Sequence, residues 1–198
     1  MYKIIEDCSP YYIRFTHNNI DKVINRCNAI ANTLELTKDM THYKIESTIA
    51  EDILSFVPMA QQFNILKTRV SLFITKPGYC YDVHKDGIDH RFSLNYMIRV
   101  LDDKCVTSWY DDSELKDYPV ETMINQTPSR HIFGVDKEKH IPSKTVTFKQ
   151  SECILFNSDL FHDWDNRQSE HERIVLTLRL EKPRHVYFED AKKIMFGL

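Results

Sequence analysis

The 198-residue chain is poor in glycine, with only four, and it contains no internal repeat, low-complexity run or Pro/Ser-rich linker. Nothing in the sequence therefore marks a domain boundary, and one domain spanning residues 1–198 is expected. Five cysteines (Cys8, Cys27, Cys80, Cys105, Cys153) form no CxxC pair, and their odd number argues against both a disulfide framework and a thiolate zinc site. Eighteen uninterrupted apolar residues never occur, and the opening "MYKIIEDCSPYYIRF" lacks a basic leader with an apolar run. A cytoplasmic protein without a membrane partner is the expectation. The formal charge is only −3, so no chain-wide electrostatic attraction to nucleic acid is expected, although a local basic groove is compatible with it. What remains is an ordinary globular composition, 42% hydrophobic and 12% aromatic, sufficient for a substantial core.

Hydrophobic periodicity changes character along the chain. Short strands are expected at Lys3–Glu6 and Tyr12–Phe15. Ile20, Val23, Ile24, Cys27, Ile30, Ala31 and Leu34 then recur at helical spacing behind Asn19, a residue suited to an N-cap. Ile49, Ile53, Leu54, Phe56 and Val57 give a second helix that Pro58 disturbs. Residues 1–64 are thus read as mainly helical support. From about residue 65 the helical period disappears. Runs such as "SLFIT", "RFSLNYMIRV", "CVTSWY", "ECILFN" and "RIVLTLRLE" are short, rich in β-branched and aromatic residues, and separated by turn clusters. Helices followed by about seven strands predict an α+β domain whose residues 65–182 form a sandwich or jelly roll. Residues 111–143 stand apart with little periodicity, either as a surface excursion or as a lid.

Chemistry-bearing residues concentrate in two places. In "YDVHKDG" the strand period of two would aim His84 and Asp86 into one space and turn Lys85 away. Taken alone the pair is weak, because about one His-x-Asp is expected by chance in a chain with this many histidines and aspartates. In "CILFNSDLFHDWDN" a strand runs into a polar turn and then His162, and a strongly alternating strand follows from Arg173. Its parity puts Arg173, Val175, Thr177 and Arg179 on one face. On an exposed face these arginines would be a solvated edge. On a face turned to a cavity, a guanidinium is a bidentate receptor for a carboxylate. Two imidazoles and one carboxylate on one octahedral face are the ligand set of non-haem Fe(II) oxygenases.

His84, Asp86, His162 and Arg173, in that order and with Arg173 eleven residues after His162, resemble the motif of the Fe(II)- and 2-oxoglutarate-dependent dioxygenases. The flanks "KPGYCYDVHKDG" and "FNSDLFHDWDN" look like small phage and bacterial members related to prolyl and aspartyl/asparaginyl hydroxylases, over about residues 65 to 180. One departure is Val175 where some relatives have serine. The resemblance implies a double-stranded β-helix (cupin-like) core supported by the N-terminal helices, Fe(II) on His84, Asp86 and His162, and 2-oxoglutarate and O2 as co-substrates. It implies further that Arg173 pairs with the far carboxylate of 2-oxoglutarate and that the enzyme hydroxylates a C–H bond of a free or peptidyl amino acid.

Strand parity also puts Arg91, Ser93, Asn95 and Met97 on one face, expected to look into the site. Asn95 would then hydrogen-bond the co-substrate, and Arg91 an anionic substrate group, unless this is merely the wet face of a strand. Trp109, Tyr79 and Tyr81 are either pocket walls or core. His90, His131, His140 and His171 lack triad spacing, and Asp163 and Asp165 read as solvated loop acids. Two other functions stay open: a metal-dependent cupin-type enzyme without 2-oxoglutarate, and a non-catalytic β-domain that binds a partner.

Overall fold

A computed structural model describes residues 2–58, 60, 69–86, 91–113, 115, 120–124, 127–132, 140–179 and 186–198, with backbone alone for 120–124 and 127–132. In chain order the elements are β1 (Tyr2–Cys8), β2 (Tyr12–His17), α1 (Ile20–Ala31), β3 (Met40–Lys44), α2 (Ser47–Ser55), β4 (Val70–Thr75), β5 (His84–Lys85), β6 (Ser93–Arg99) and β7 (Val106–Tyr110). They continue with β8 (Val120–Ile124), β9 (Thr127–Ile132), β10 (Lys144–Val146), β11 (Cys153–Phe156), β12 (Phe161–Asp165), β13 (Arg173–Leu178) and α3 (Phe188–Phe196). The strands form two antiparallel sheets, of order β1-β2-β11-β6-β13-β4-β3 and β10-β7-β12-β5-β9-β8. From β4 onward the chain largely alternates between them, so strands distant in sequence become neighbours.

Alternation on the larger sheet separates two cores. Leu94, Tyr96 and Ile98 of β6, with Ile174, Leu176 and Leu178 of β13, pack outward against Val23, Ile24 and Cys27 of α1 and Ile53 of α2. The other parity turns between the sheets, where Met97, Val175, Ile154 and Phe156 meet Trp109, Tyr12 and Phe148. Each helix buries one stripe, which is where most helical stability in a short segment comes from.

Three differences from the sequence reading concern elements. Beyond the two expected strands, which become β1 and β2 at one side of the larger sheet, residues 1–64 also supply β3 at the other. Residues 111–143 contain the β8–β9 hairpin, paired to β5 through Lys85↔Arg130 and His84↔His131, so they extend the smaller sheet instead of forming one long loop. Sequence reasoning also passed over α3, which begins where the Asp190 carboxylate accepts the Tyr187 N–H at 3.0 Å and ends at Gly197 in the left-handed conformation, φ 71°. Lys85 does turn away from the gap between the sheets. Its ammonium meets Asp112 at 2.6 Å and lies 4.4 Å from the centre of the Phe161 ring.

Candidate metal centre

β5 and β12 are paired so that His162 lies directly opposite His84, with ring centres 4.3 Å apart. Asp86 follows one residue beyond β5, where its N–H donates to the Ser158 carbonyl at 3.1 Å. One ligand atom from each of His84, Asp86 and His162 lies within 4.8 Å of the other two. The period of two in β5 thus brings His84 and Asp86 to one side, and the antiparallel ladder adds His162 from a strand more than seventy residues later.

Hydrogen bonding prepares both imidazoles in the same way. His84 Nδ1 lies 2.9 Å from the Asp82 carbonyl, and His162 Nδ1 lies 2.8 Å from the Leu160 carbonyl. A carbonyl only accepts, so each Nδ1 carries the proton and each Nε2 keeps its lone pair for a metal. Burial lowers the His162 pKa below the ordinary imidazole value and outweighs the opposite pull of Asp86. The ring is therefore neutral at pH 7, the form that ligates. Arg179 Nη2 donates to Asp86 Oδ1 at 3.1 Å and so fixes the carboxylate. The donor set, two neutral imidazoles and one oriented carboxylate on one side, suits a divalent transition metal held with open positions.

An aromatic wall stands beside the cluster. Tyr81 stacks on Trp164 with ring centres 4.3 Å apart and planes 3° from parallel, and presents its edge to His84 at 4.8 Å. Phe156 presents its edge to His162 at 4.8 Å. The Arg173 guanidinium lies 6.0 Å from the Trp164 ring centre, and its position opposite Thr75 puts it at the other end of β13 from Arg179. Asn95 lies opposite both Thr177 and Ile154, on the parity of Met97, and its Oδ1 is buried with no hydrogen-bond partner among the described residues.

Several readings need correction. Trp109 is no pocket wall: it is fully buried, stacked on Tyr12 at 5.5 Å, and its Nε1–H donates to the Asn157 carbonyl at 3.3 Å. Arg91 is engaged by Asp159 at 2.5 Å and lies over Tyr187, so it braces the turn before β12 instead of presenting a cation to substrate. Asp163 is not a solvated acid; it is buried and accepts the Tyr110 hydroxyl at 2.9 Å. Asp165 is tied to Arg167 at 2.6 Å. His90 lies outside the described residues. His42 and Arg69, which sequence reasoning passed over, line a cavity with Arg179. Only the pairing of β3, β4 and β13 could have pointed to them.

No family model matches the chain, and no curated protein is significantly similar to it. Solved structures are similar in fold. An epimerase, SnoN, in complex with Fe3+, alpha ketoglutarate and nogalamycin RO superposes with TM-score 0.53 at 9% identity over 89% of this chain and 83% of that one. HygX from Streptomyces hygroscopicus, bound to nickel, 2-oxoglutarate and hygromycin B, gives TM-score 0.56 at 9% identity over 85% and 81%. An oxidoreductase of the 2OG-Fe(II) oxygenase family from Burkholderia pseudomallei gives 0.53 at 13% identity over 89% and 86%. At such identities the likeness establishes the fold.

Proposed function

We propose that this chain is an Fe(II)- and 2-oxoglutarate-dependent dioxygenase with a double-stranded β-helix core, hydroxylating an unactivated C–H bond, of a free or peptidyl amino acid. The observation that carries the reading is the cluster of His84, Asp86 and His162, with both Nε2 atoms released for a metal by Nδ1 bonds to backbone carbonyls. The alternation of β4, β6, β11 and β13 with β5, β7, β10 and β12 between two sheets supports the double-stranded β-helix. The bound iron or nickel and 2-oxoglutarate of the similar structures support the cofactor assignment.

Bound at this centre, Fe(II) would couple oxidative decarboxylation of 2-oxoglutarate by O2 to attack on a substrate C–H bond, releasing succinate and carbon dioxide. His84, Asp86 and His162 would hold the metal on one face and leave the opposite face to exchangeable ligands. Arg173, for which no carboxylate partner occurs among the described residues, would pair bidentately with the far carboxylate of the co-substrate. Asn95, opposite Thr177 on the neighbouring strand, would turn its side-chain amide to the co-substrate nearer the metal. We place the enzyme in the cytoplasm, acting on a small-molecule or peptide substrate away from the membrane.

The test is spectroscopic. Anaerobic Fe(II) protein titrated with 2-oxoglutarate should develop a metal-to-ligand charge-transfer band, and Arg173→Ala should shift its half-saturation upward about tenfold or more. Stoichiometric iron without the band would favour a cupin-type metalloenzyme that does not use 2-oxoglutarate. Failure to bind iron would leave the non-catalytic β-domain.

A further inference from the structure

We propose that the cavity beside the metal centre is a receptor for an anionic group, a carboxylate or a phosphate, on the primary substrate. The inference rests on the metal-centre reading for its place in the reaction. Its chemistry comes from side chains other than the three candidate ligands, with Arg179 joining the two. The cavity has a volume of about 340 Å3. β3 contributes His42 and Lys44, and β4 contributes Ser71 and Phe73. Thr177 and Arg179 line it from β13 and the residue after it, and Arg69 from the residue before β4.

Register explains why these groups converge. Lys44 is opposite Ser71, and Ser71 is opposite Thr177, so an ammonium and two hydroxyls form one row across three strands. Beyond the last pair of β13 with β4, the Arg179 N–H donates to the Arg69 carbonyl at 3.2 Å, which puts two guanidinium-bearing residues side by side. An anion seated in the cavity would accept charge-assisted hydrogen bonds from these cationic side chains. His42 stacks on Phe73 with ring centres 4.5 Å apart and planes at 12°, a flat wall for the apolar part of a ligand. Burial keeps the His42 ring below its ordinary pKa, and the charges of Arg179 and Lys44 push the same way, as expected in a cavity of positive potential.

Two further facts set the role. Arg179 also donates to Asp86 at 3.1 Å, so an anion held by this arginine lies next to the metal-binding carboxylate. Arg173 belongs to a different receptor: it is six residues earlier on the same strand, roughly 20 Å away at about 3.3 Å per residue. The co-substrate and the substrate therefore have separate cationic sites, one at each end of β13.

Calorimetry on the full chain, loaded with Fe(II) under anaerobic conditions and saturated with 2-oxoglutarate, tests this with inorganic phosphate and N-acetylglycine as probes. At least one probe should bind saturably, and the identity of the binder tells phosphate from carboxylate recognition. Lys44→Gln/Arg69→Gln should weaken that binding tenfold or more while retaining the 2-oxoglutarate charge-transfer band and the far-ultraviolet circular dichroism of the parent. Lys44→Gln alone, at an exposed position, should weaken it severalfold and serves if the double variant misfolds. Equal affinity in both variants would overturn the proposal, as would no binding of either probe, or loss of binding in Arg173→Ala alone. Wild-type protein that binds a probe but shows no charge-transfer band would remove the dioxygenase reading and leave the anion receptor standing.

Discussion

Neighbouring residues in "VHKD" have opposite fates, and the physical cause is the strand period. His84 and Asp86 turn to His162, while Lys85 lies with Asp112 and Phe161. Asp86→Ala should therefore abolish stoichiometric Fe(II) binding with unchanged circular dichroism, whereas Lys85→Met should leave one iron per chain by metal analysis. Trp109 shows the limit of reading single residues. Its aromatic character was legible, but only burial against Tyr12 decides between pocket and core. Trp109→Ala should cost about 3–5 kcal/mol, the usual range for removing a fully buried large aromatic, measured by urea denaturation. A substrate contact would instead change KM at constant stability.

Among the elements, α1, α2 and most strands are readable because their apolar residues recur at 3.6 or at 2. α3 was also written in the sequence, as Phe188, Ala191 and Met195 spaced three and four apart before Gly197, but nine residues give a weak periodic signal beside a strand-rich region. All three side chains enter the core shared by the helices and the larger sheet. Phe188→Ala should accordingly destabilise the protein by about 3 kcal/mol in chemical denaturation, while exchange of exposed Ile194 for a polar residue should move it by less than about 0.5 kcal/mol. The β8–β9 hairpin escaped because its partner strand, β5, is only two residues long. No local pattern in residues 111–143 announces pairing to so short a strand.

At the scale of the whole molecule, buried histidines link stability to pH. His17 is almost fully buried, its Nδ1 accepts the Asn19 N–H at 3.2 Å, and burial lowers its pKa to about 4. The unfolded chain binds a proton near the ordinary histidine value of about 6.5, whereas the native chain resists it, so stability falls as pH drops from the unfolded value toward about 4. Metal-free protein should lose about 2 kcal/mol from this group between roughly pH 7 and 5, and His17→Gln should flatten that part of the curve in urea titrations. Among the described residues no helix is long and apolar enough to cross a membrane. By itself the sequence determined which segments could be amphipathic helices or alternating strands and which residue types could bind a metal, because those properties depend on local spacing. It also determined that Arg173 and Arg179 share one face. Which way that face turns was decided by tertiary structure alone, as were the pairing that sets His162 opposite His84 and the row that brings Lys44 and Arg69 beside Arg179. These depend on the register between strands distant in the chain, and register is fixed by packing across the whole sheet, which no local pattern encodes.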